Sequence, residues 1–248
     1  MSLPQIAGRA EWLAARRELL AREKQLTSMQ DDLNADRRRL PMVRVVKDYV
    51  FTGPAGEVRL LDMFEDRRQL VVQHFMFDPE WENGCSSCSA SVDEISDGVI
   101  THLHARDTTF ALVSRAPIAR LEDYRRRRVW TIPWYSSDGS DFNYDFHVTL
   151  DESVAPLELN FRTRAEIETS PSVEWVLRAK QPIEMPAVSC FLRDGDDVFL
   201  TNTTYARGTE YLAAAYTFLD LTALGRQEDW EEPKGRAAVP HDASPDFA

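Results

Sequence analysis

Two cysteines three positions apart, Cys85 and Cys88, stand where one apolar pattern stops and another begins, and that junction limits the folds open to this chain. Residues 70–77, Leu-Val-Val-Gln-His-Phe-Met-Phe, form a short apolar run rich in strand formers. After a linker at 78–84, Cys88, Val92, Ile95, Val99 and Leu103 recur at steps of four, three, four and four, which is one face of an amphipathic helix. The pattern predicts a strand, then a helix opened by Cys85-Ser86-Ser87-Cys88 and running to about Leu103. Cys88 begins the buried stripe. Cys85 lies at the helix end, where free backbone N–H groups and the positive end of the dipole stabilise a thiolate. Cys85 is thus the expected nucleophile and Cys88 the resolving thiol. The acidic lead-in Asp78, Glu80 and Glu82 would oppose that activation if it lay close.

The same spacing serves as half of a zinc site, and two inert thiols are a third reading. A structural zinc site needs four N or S ligands, and only Cys190 and five histidines remain to complete one, with no second C-x-x-C. His102 and His104, two apart, cannot share one helix face and read as surface or helix-end residues. No metal is therefore expected. Cys190 belongs to an apolar segment, where a cysteine behaves as a small hydrophobe. His74, inside the strand before the motif, is the histidine best placed to influence the cysteines, against the ordinary role of a hydrogen-bonded sheet histidine.

At 248 residues and 43% hydrophobic, the chain can bury one substantial core. It carries no apolar stretch of membrane-spanning length and no signal-like apolar segment, so a cytoplasmic location is expected. Three cysteines suit a reducing compartment with one working pair better than a disulfide framework. The formal charge of −12 repels a phosphate backbone, which argues against nucleic acid as a partner. Arg37-Arg38-Arg39 and Arg125-Arg126-Arg127-Arg128 each end a predicted helix, where cations complement the dipole; a solvated helix end is the simpler reading and an anion site the alternative.

Three regions follow: a helical arm at 1–41, a domain at 42–225 and a polar, proline-bearing tail at 226–248 expected to be disordered. In the arm Trp12, Leu19, Leu26, Leu33 and Leu40 recur every seven, but Ala15, Arg22, Met29 and Asp36 break the second row of a coiled-coil seam. Thr27 and Gln30 fit a capping box, which predicts two consecutive helices packed on their own domain or on a second subunit, a route to a homo-oligomer. Strands are expected at 43–51 and 57–61 around Gly53-Pro54-Ala55-Gly56, at 109–114, and near 129–135 after a helix at 118–128. Strands at 187–192 and 198–203 flank Arg193-Asp194-Gly195-Asp196-Asp197, and a last helix at 209–219 should cover the sheet. The alternation is that of an α/β domain with a central sheet.

Strand, C-x-x-C at a helix start, βα unit, proline before a hairpin and a final helix: in this order the pieces resemble a thioredoxin-like fold, here with an N-terminal helical arm, an N-terminal β-hairpin and an inserted aromatic-rich segment. More particularly, the chain resembles a bacterial family catalogued as domain of unknown function 899, whose members are predicted dithiol-disulfide oxidoreductases. The motifs are Arg38-Arg39-Leu40-Pro41, His74-Phe75-Met76-Phe77, Cys85-x-x-Cys88, Val113-Ser114-Arg115-Ala116-Pro117, Asp141-Phe142-Asn143-Tyr144-Asp145-Phe146, Tyr205-Ala206-Arg207-Gly208 and Leu219-Asp220-Leu221. The resemblance implies a cis Met185-Pro186 bond opposite the cysteines, shaping a substrate groove. It also implies a thiol or disulfide substrate, a cellular thiol reductant and no cofactor. Asn83-Gly84 stand where thioredoxins have Trp before the first cysteine, and Ser86-Ser87 replace Gly-Pro. Peroxiredoxins have Pro and Thr where this chain has Asp78 and Glu82, which weakens a peroxidase reading; a non-catalytic binding module is the alternative from another class. Trp130, Trp134, Tyr135, Phe142, Tyr144 and Phe146 suggest an aromatic pocket over the cysteines with Asn143, Asp141 and Asp145 as polar fixtures, or else core packing. Arg115 and Arg207 could hold an acidic substrate group, or form internal salt bridges.

Overall fold

The computed structural model describes residues 3–212 and 214–236. Its N-terminal arm is one helix, α1 (Arg9–Arg39), and not two. The Thr27 hydroxyl donates to the Glu23 carbonyl at 3.0 Å instead of capping a new helix, so the backbone ladder is never interrupted. No residue of α1 is buried, so the arm does not pack into its own domain.

The expected first strand is two: β1 (Val43–Arg44) and β2 (Val50–Gly53), the latter closing a hairpin with β3 (Gly56–Arg59). Gly53 pairs with Gly56 across the turn, where Gly56 takes a φ of 124° that a side chain would resist. Then come β4 (Gln69–His74), α2 (Ser86–Asp93), α3 (Asp97–His104), β5 (Thr108–Ser114), α4 (Ile118–Arg128) and β6 (Trp134–Ser136). The single helix expected after the cysteines is thus two. Ser96, not read as a boundary, accepts from the Val99 amide and starts the second. Val129, in the left-handed conformation, ends α4, so the next strand begins only at Trp134.

Residues 137–186 hold what the sequence left mostly unread. A short helix α5 (Phe142–Asp145) and α6 (Arg164–Glu168) accompany two small ribbons, β7 (Thr149–Leu150) with β10 (Ile183–Glu184) and β8 (Glu158–Leu159) with β9 (Arg162–Thr163). Leu150, Leu157, Leu159, Ile167 and Val176 give this insertion a small core of its own. The chain returns through β11 (Ala187–Asp194) and β12 (Asp197–Tyr205), a hairpin turned at Gly195-Asp196, and ends in α7 (Ala214–Leu219).

The eight-stranded sheet has the order β1-β12-β11-β4-β5-β6-β2-β3. Within it, β4 and β5 are parallel, β11 runs antiparallel to β4, and β12 antiparallel to β11. Four strands in the order β12-β11-β4-β5, with the α2–α3 crossover between β4 and β5, make a thioredoxin-like α/β fold, flanked by the N-terminal hairpin on one edge. Alternating side chains of β4 and β5 feed two cores on opposite faces. Leu70, Val72, Ala111 and Val113 face one core with Phe142, Phe146 and Phe191. Val71, Phe110 and Leu112 face the other, with Phe75, Phe77, Trp134, Cys85 and Cys88. Every residue of β5 is buried, as befits a central parallel strand.

One expectation fails at the C-terminus. α7 buries no residue; the 3-10 turn Ala206–Leu212 does the covering, with Leu212 packed on the cysteine-side core. At the start of the tail, Arg226 binds Asp220 and Glu210 at 2.8 and 2.9 Å and lies over Tyr216. Residues 237–248 of the expected tail lie outside those described. Among the described residues no helix is long and apolar enough to cross a membrane.

Candidate active site

Cys85 is the N-cap of α2, with φ −55° and ψ 131°, and its amide donates to the Met76 carbonyl at 3.0 Å, just beyond the end of β4. The Cys85 carbonyl in turn accepts from the Ser89 amide and the Ser89 hydroxyl, both at 2.9 Å. The thiol is half-buried at the surface, while Cys88, one turn on, is buried. All three cysteines are thiols.

An N-cap normally offers an oxygen to the first helical N–H groups. Cys85 brings a sulfur to that position, and its side chain makes no cap hydrogen bond of ordinary geometry. The Cys85 thiol is brought down to about 6, chiefly by the hydrogen bond from the Cys88 thiol, with the backbone N–H groups of Cys88 and Ser87 and the Ser87 hydroxyl adding to it against the opposing cost of burial. Cys88 is pushed well above the ordinary thiol range by giving that hydrogen bond, by burial and by the nearby Cys85 charge. One thiol is therefore a thiolate at neutral pH and the other a protonated donor beside it, the division of labour that a nucleophile and a resolving thiol require.

Several neighbours fix this turn. A Cβ on Gly84 would lie 2.5 Å from Cε1 of buried Phe75, so only glycine lets the chain pass there before Cys85. Ser89 also hydrogen bonds the Tyr124 hydroxyl at 2.9 Å, tying α2 to α4. Gln73 reaches Ser91 at 2.9 Å, and Trp130 Nε1 donates to Asp93 at 2.8 Å. Of these, Gly84 adjoins the motif and Trp130 belongs to the aromatic segment, while Ser89, Tyr124, Gln73, Ser91 and Asp93 carried no sequence signal of their role here.

The proposed substrate-groove residues do not converge. Trp134 and Trp130 do pack in the cysteine-side core, but Trp134 is fully buried and spends its indole N–H on Ser114 at 3.0 Å. Tyr135, Phe142, Asn143 and Phe146 lie toward the opposite face or in its core, because consecutive strand residues point oppositely and α5 packs on that side. Asn143 is buried, accepting from Ser137 at 2.7 Å and donating to Thr149. Asp141 and Asp145 bind Lys47. Trp134, Phe142 and Phe146 are thus core side chains and not a pocket over the cysteines, and Tyr144 is half-buried outside the cores.

His74 is likewise on the far face. It stacks on Phe142 at 5.4 Å, hydrogen bonds Ser189 through Nε2 at 2.8 Å, and is held neutral, down to about 3, by burial. Arg115 is bound to Glu184 at 2.7 Å and to Asp78, the internal ion-pair role. Arg207 pairs with Glu210 at 2.8 Å and lies over Trp230 at 4.1 Å. The cis X-Pro bonds among the described residues are Gln181–Pro182 and Glu232–Pro233, so Met185–Pro186 is not the cis bond expected. The Met185 amide donates to Val148 at 2.8 Å and β11 begins at Ala187, an extended path straight through Pro186. Pairing of Ala187 with His74 still carries Pro186 to the position opposite Phe75, one residue from the carbonyl that holds Cys85, while Met185 packs on the insertion's core.

The lead-in carboxylates face cations: Asp78 binds Arg115, and Glu80 and Glu82 line a cleft of about 640 Å³ with Arg120, Arg126 and Arg127. The Arg125–Arg128 run is spent on Glu122, Asp123, Asn83 and Asp93, as a solvated helix end would be. Cys190 pairs with Val71 in the sheet, and burial raises its thiol. Among the described residues no group of three or more His, Cys, Asp or Glu side chains could hold a metal ion.

Fold and site together define a thioredoxin-fold protein with a C-x-x-C dithiol at the start of its first core helix. The chain belongs to the family described as bacterial protein of unknown function (DUF899), whose model matches residues 1–243. No curated protein matches it. Among solved structures it is similar to peroxiredoxin Q from Xanthomonas campestris, at 9% identity and TM-score 0.47, covering 74% of this chain and 98% of that one. It is similar also to peroxidoxin BcpB from Mycobacterium tuberculosis, at 12% identity and TM-score 0.45, with coverage of 71% and 94%. A third is a secreted Mycobacterium tuberculosis disulfide oxidoreductase homologous to Escherichia coli DsbE, at 13% identity and TM-score 0.34, with coverage of 67% and 92%.

Proposed function

We propose that the protein is a dithiol-disulfide oxidoreductase in which Cys85 attacks and Cys88 resolves. The observation that carries this reading is the pair itself: two thiols one turn apart at the start of α2, the N-cap Cys85 partly accessible and Cys88 buried.

The Cys85 thiolate attacks one sulfur of a substrate disulfide, forming a mixed disulfide and expelling the other sulfur as a thiolate, which takes up a proton. Cys88 then loses its proton and attacks Cys85 Sγ, releasing the second substrate thiol and leaving a Cys85–Cys88 disulfide. Two electrons pass from the cysteine pair to the substrate, and two equivalents of a cellular thiol return them. No step calls for a cofactor. The partners are accordingly a disulfide or oxidised-sulfur substrate and a thiol reductant, with the cytoplasm as the compartment that keeps such a pair cycling.

Turnover of insulin or a small aromatic disulfide tests the reading. Cys85→Ser should abolish it, Cys88→Ser should stop at a trapped mixed disulfide, and Cys190→Ser should leave it unchanged. Undiminished turnover by Cys85→Ser would remove the assignment.

A further inference from the structure

We propose that α1 is a dimerisation element that pairs antiparallel with α1 of a second copy of this chain. The helix runs for 31 residues without one buried side chain. Its polar contacts run along itself: Arg16 to Glu23, Gln30 to Asn34, Arg37 to Asn34 and Arg39 to Asp36. Helices of globular proteins draw most of their stability from packing an apolar face. This one has such a face and leaves it uncovered.

Trp12, Leu19, Leu26, Met29, Leu33 and Leu40 are between 45% (Leu33) and 66% (Met29) exposed. At 3.6 residues per turn they fall within a sector of roughly 100°. The stripe drifts by about 20° per heptad, the drift that a left-handed two-helix supercoil removes. It extends from Trp12 to Leu40, about 42 Å at 1.5 Å per residue. Contiguous apolar surface on this scale marks an interaction site.

Charge selects the occupant and its direction. Arg22 lies within the apolar sector, with Asp36 and Glu18 along one edge and Arg39 just beyond them. A parallel pair would set Arg22 against its own copy in the seam. An antiparallel pair with its two-fold axis beside Met29 sets Arg22 next to the partner's Asp36 and Glu18 next to the partner's Arg39. Leu26 then meets the partner's Leu33, and Leu19 the partner's Leu40. Asp36 already holds Arg39 at 2.8 Å, so a four-residue chain of alternating charge, Glu18 and Arg22 from one copy with Asp36 and Arg39 from the other, closes on each side of the axis. The broken second row of the heptad is therefore complementary to itself in one orientation only.

Sedimentation equilibrium of the full chain should give twice the 28.4 kDa chain mass at micromolar concentration. Leu26→Glu should weaken the dimer by about a hundredfold, as loss of a central apolar contact does. Arg22→Glu and Asp36→Arg should each weaken it by about tenfold, and the double variant should return to within about threefold of the parent, since like charges meet in the singles and opposite charges in the double. Circular dichroism and oxidation of the Cys85–Cys88 pair, which α1 does not contact, report that each variant is folded. A wild-type chain that stays monomeric, a dimer indifferent to Leu26→Glu, or a double variant no tighter than the singles would each overturn the proposal.

Discussion

Removing the hydrogen bond between the two thiols should move the titration of Cys85 without dismantling the site. In Cys88→Ala the largest influence lowering the Cys85 thiol is gone, while the Ser87 hydroxyl and the N–H of Ser87 and of residue 88 remain. The midpoint should rise from about 6 toward the ordinary value of about 8.5. Cys88→Ser keeps a donor at the same place and should stay near the parent. The magnitude dictates the assay. At pH 7 a full return would cut the thiolate from about nine-tenths of the population to about 3%, roughly thirtyfold. A more basic thiolate is also a better nucleophile, by about tenfold over that range with a Brønsted slope near 0.45. A rate at one pH would therefore fall only about two- to threefold, whereas the midpoint of a full pH profile of iodoacetamide alkylation, read at Cys85 by mass spectrometry, reports the change directly. A parent midpoint at or above pH 8, or one identical in the parent, Cys88→Ala and Cys88→Ser, would refute the reasoning.

Gly84→Ala should lower thermal stability by about 1–3 kcal/mol, because the new methyl meets buried Phe75 and the strand end must shift. Arg115→Met leaves the Glu184 carboxylate buried without its cation and should cost about 3–5 kcal/mol at neutral pH. Burial already raises Glu184, so the deficit should be largest above its folded pKa, shrink as the pH falls and the group protonates, and be relieved by adding Glu184→Gln; urea midpoints from pH 4 to 8 check all three. His74 is held neutral to about pH 3, below its unfolded value of about 6.5. Its contribution is thus complete above pH 6.5 and drains away toward pH 3, by up to roughly 5 kcal/mol. His74→Phe should flatten that part of the stability profile, and an unchanged slope would contradict the assignment.

Local pattern accounted for the elements that frame the site. The strand before the cysteines, the start of α2 and the whole of α4 follow from apolar periodicity and helix-end chemistry, which act over a few residues. Misreadings arose where distance in sequence hides distance in space. Trp134 and Tyr135 are neighbours in the chain but face opposite sides of β6, so an aromatic cluster in sequence became two cores. His74 and Phe75 part company at the end of β4 in the same way. Arg115 could not be told from a substrate ligand until its partners Asp78 and Glu184, far apart in the chain, were seen together. The steps of four, three, four and four from Cys88 to Leu103 do not survive the Ser96 cap: α3 starts anew, so Ile100 and Leu103 pack on the cysteine-side core while Val99 is exposed. Cys85 and Cys88 were legible for the opposite reason: their relation needs only one helical turn.

The measurement closest to the central claim is a thiol-trapping titration in glutathione buffers of graded potential, with the Cys85–Cys88 pair followed by mass spectrometry. A depressed Cys85 favours the reduced form, so the pair should show one reversible two-electron transition above thioredoxin's roughly −270 mV and toward the more oxidising dithiol enzymes. Cys190 should stay a thiol throughout. A folded protein that forms no Cys85–Cys88 disulfide in any buffer would contradict the account.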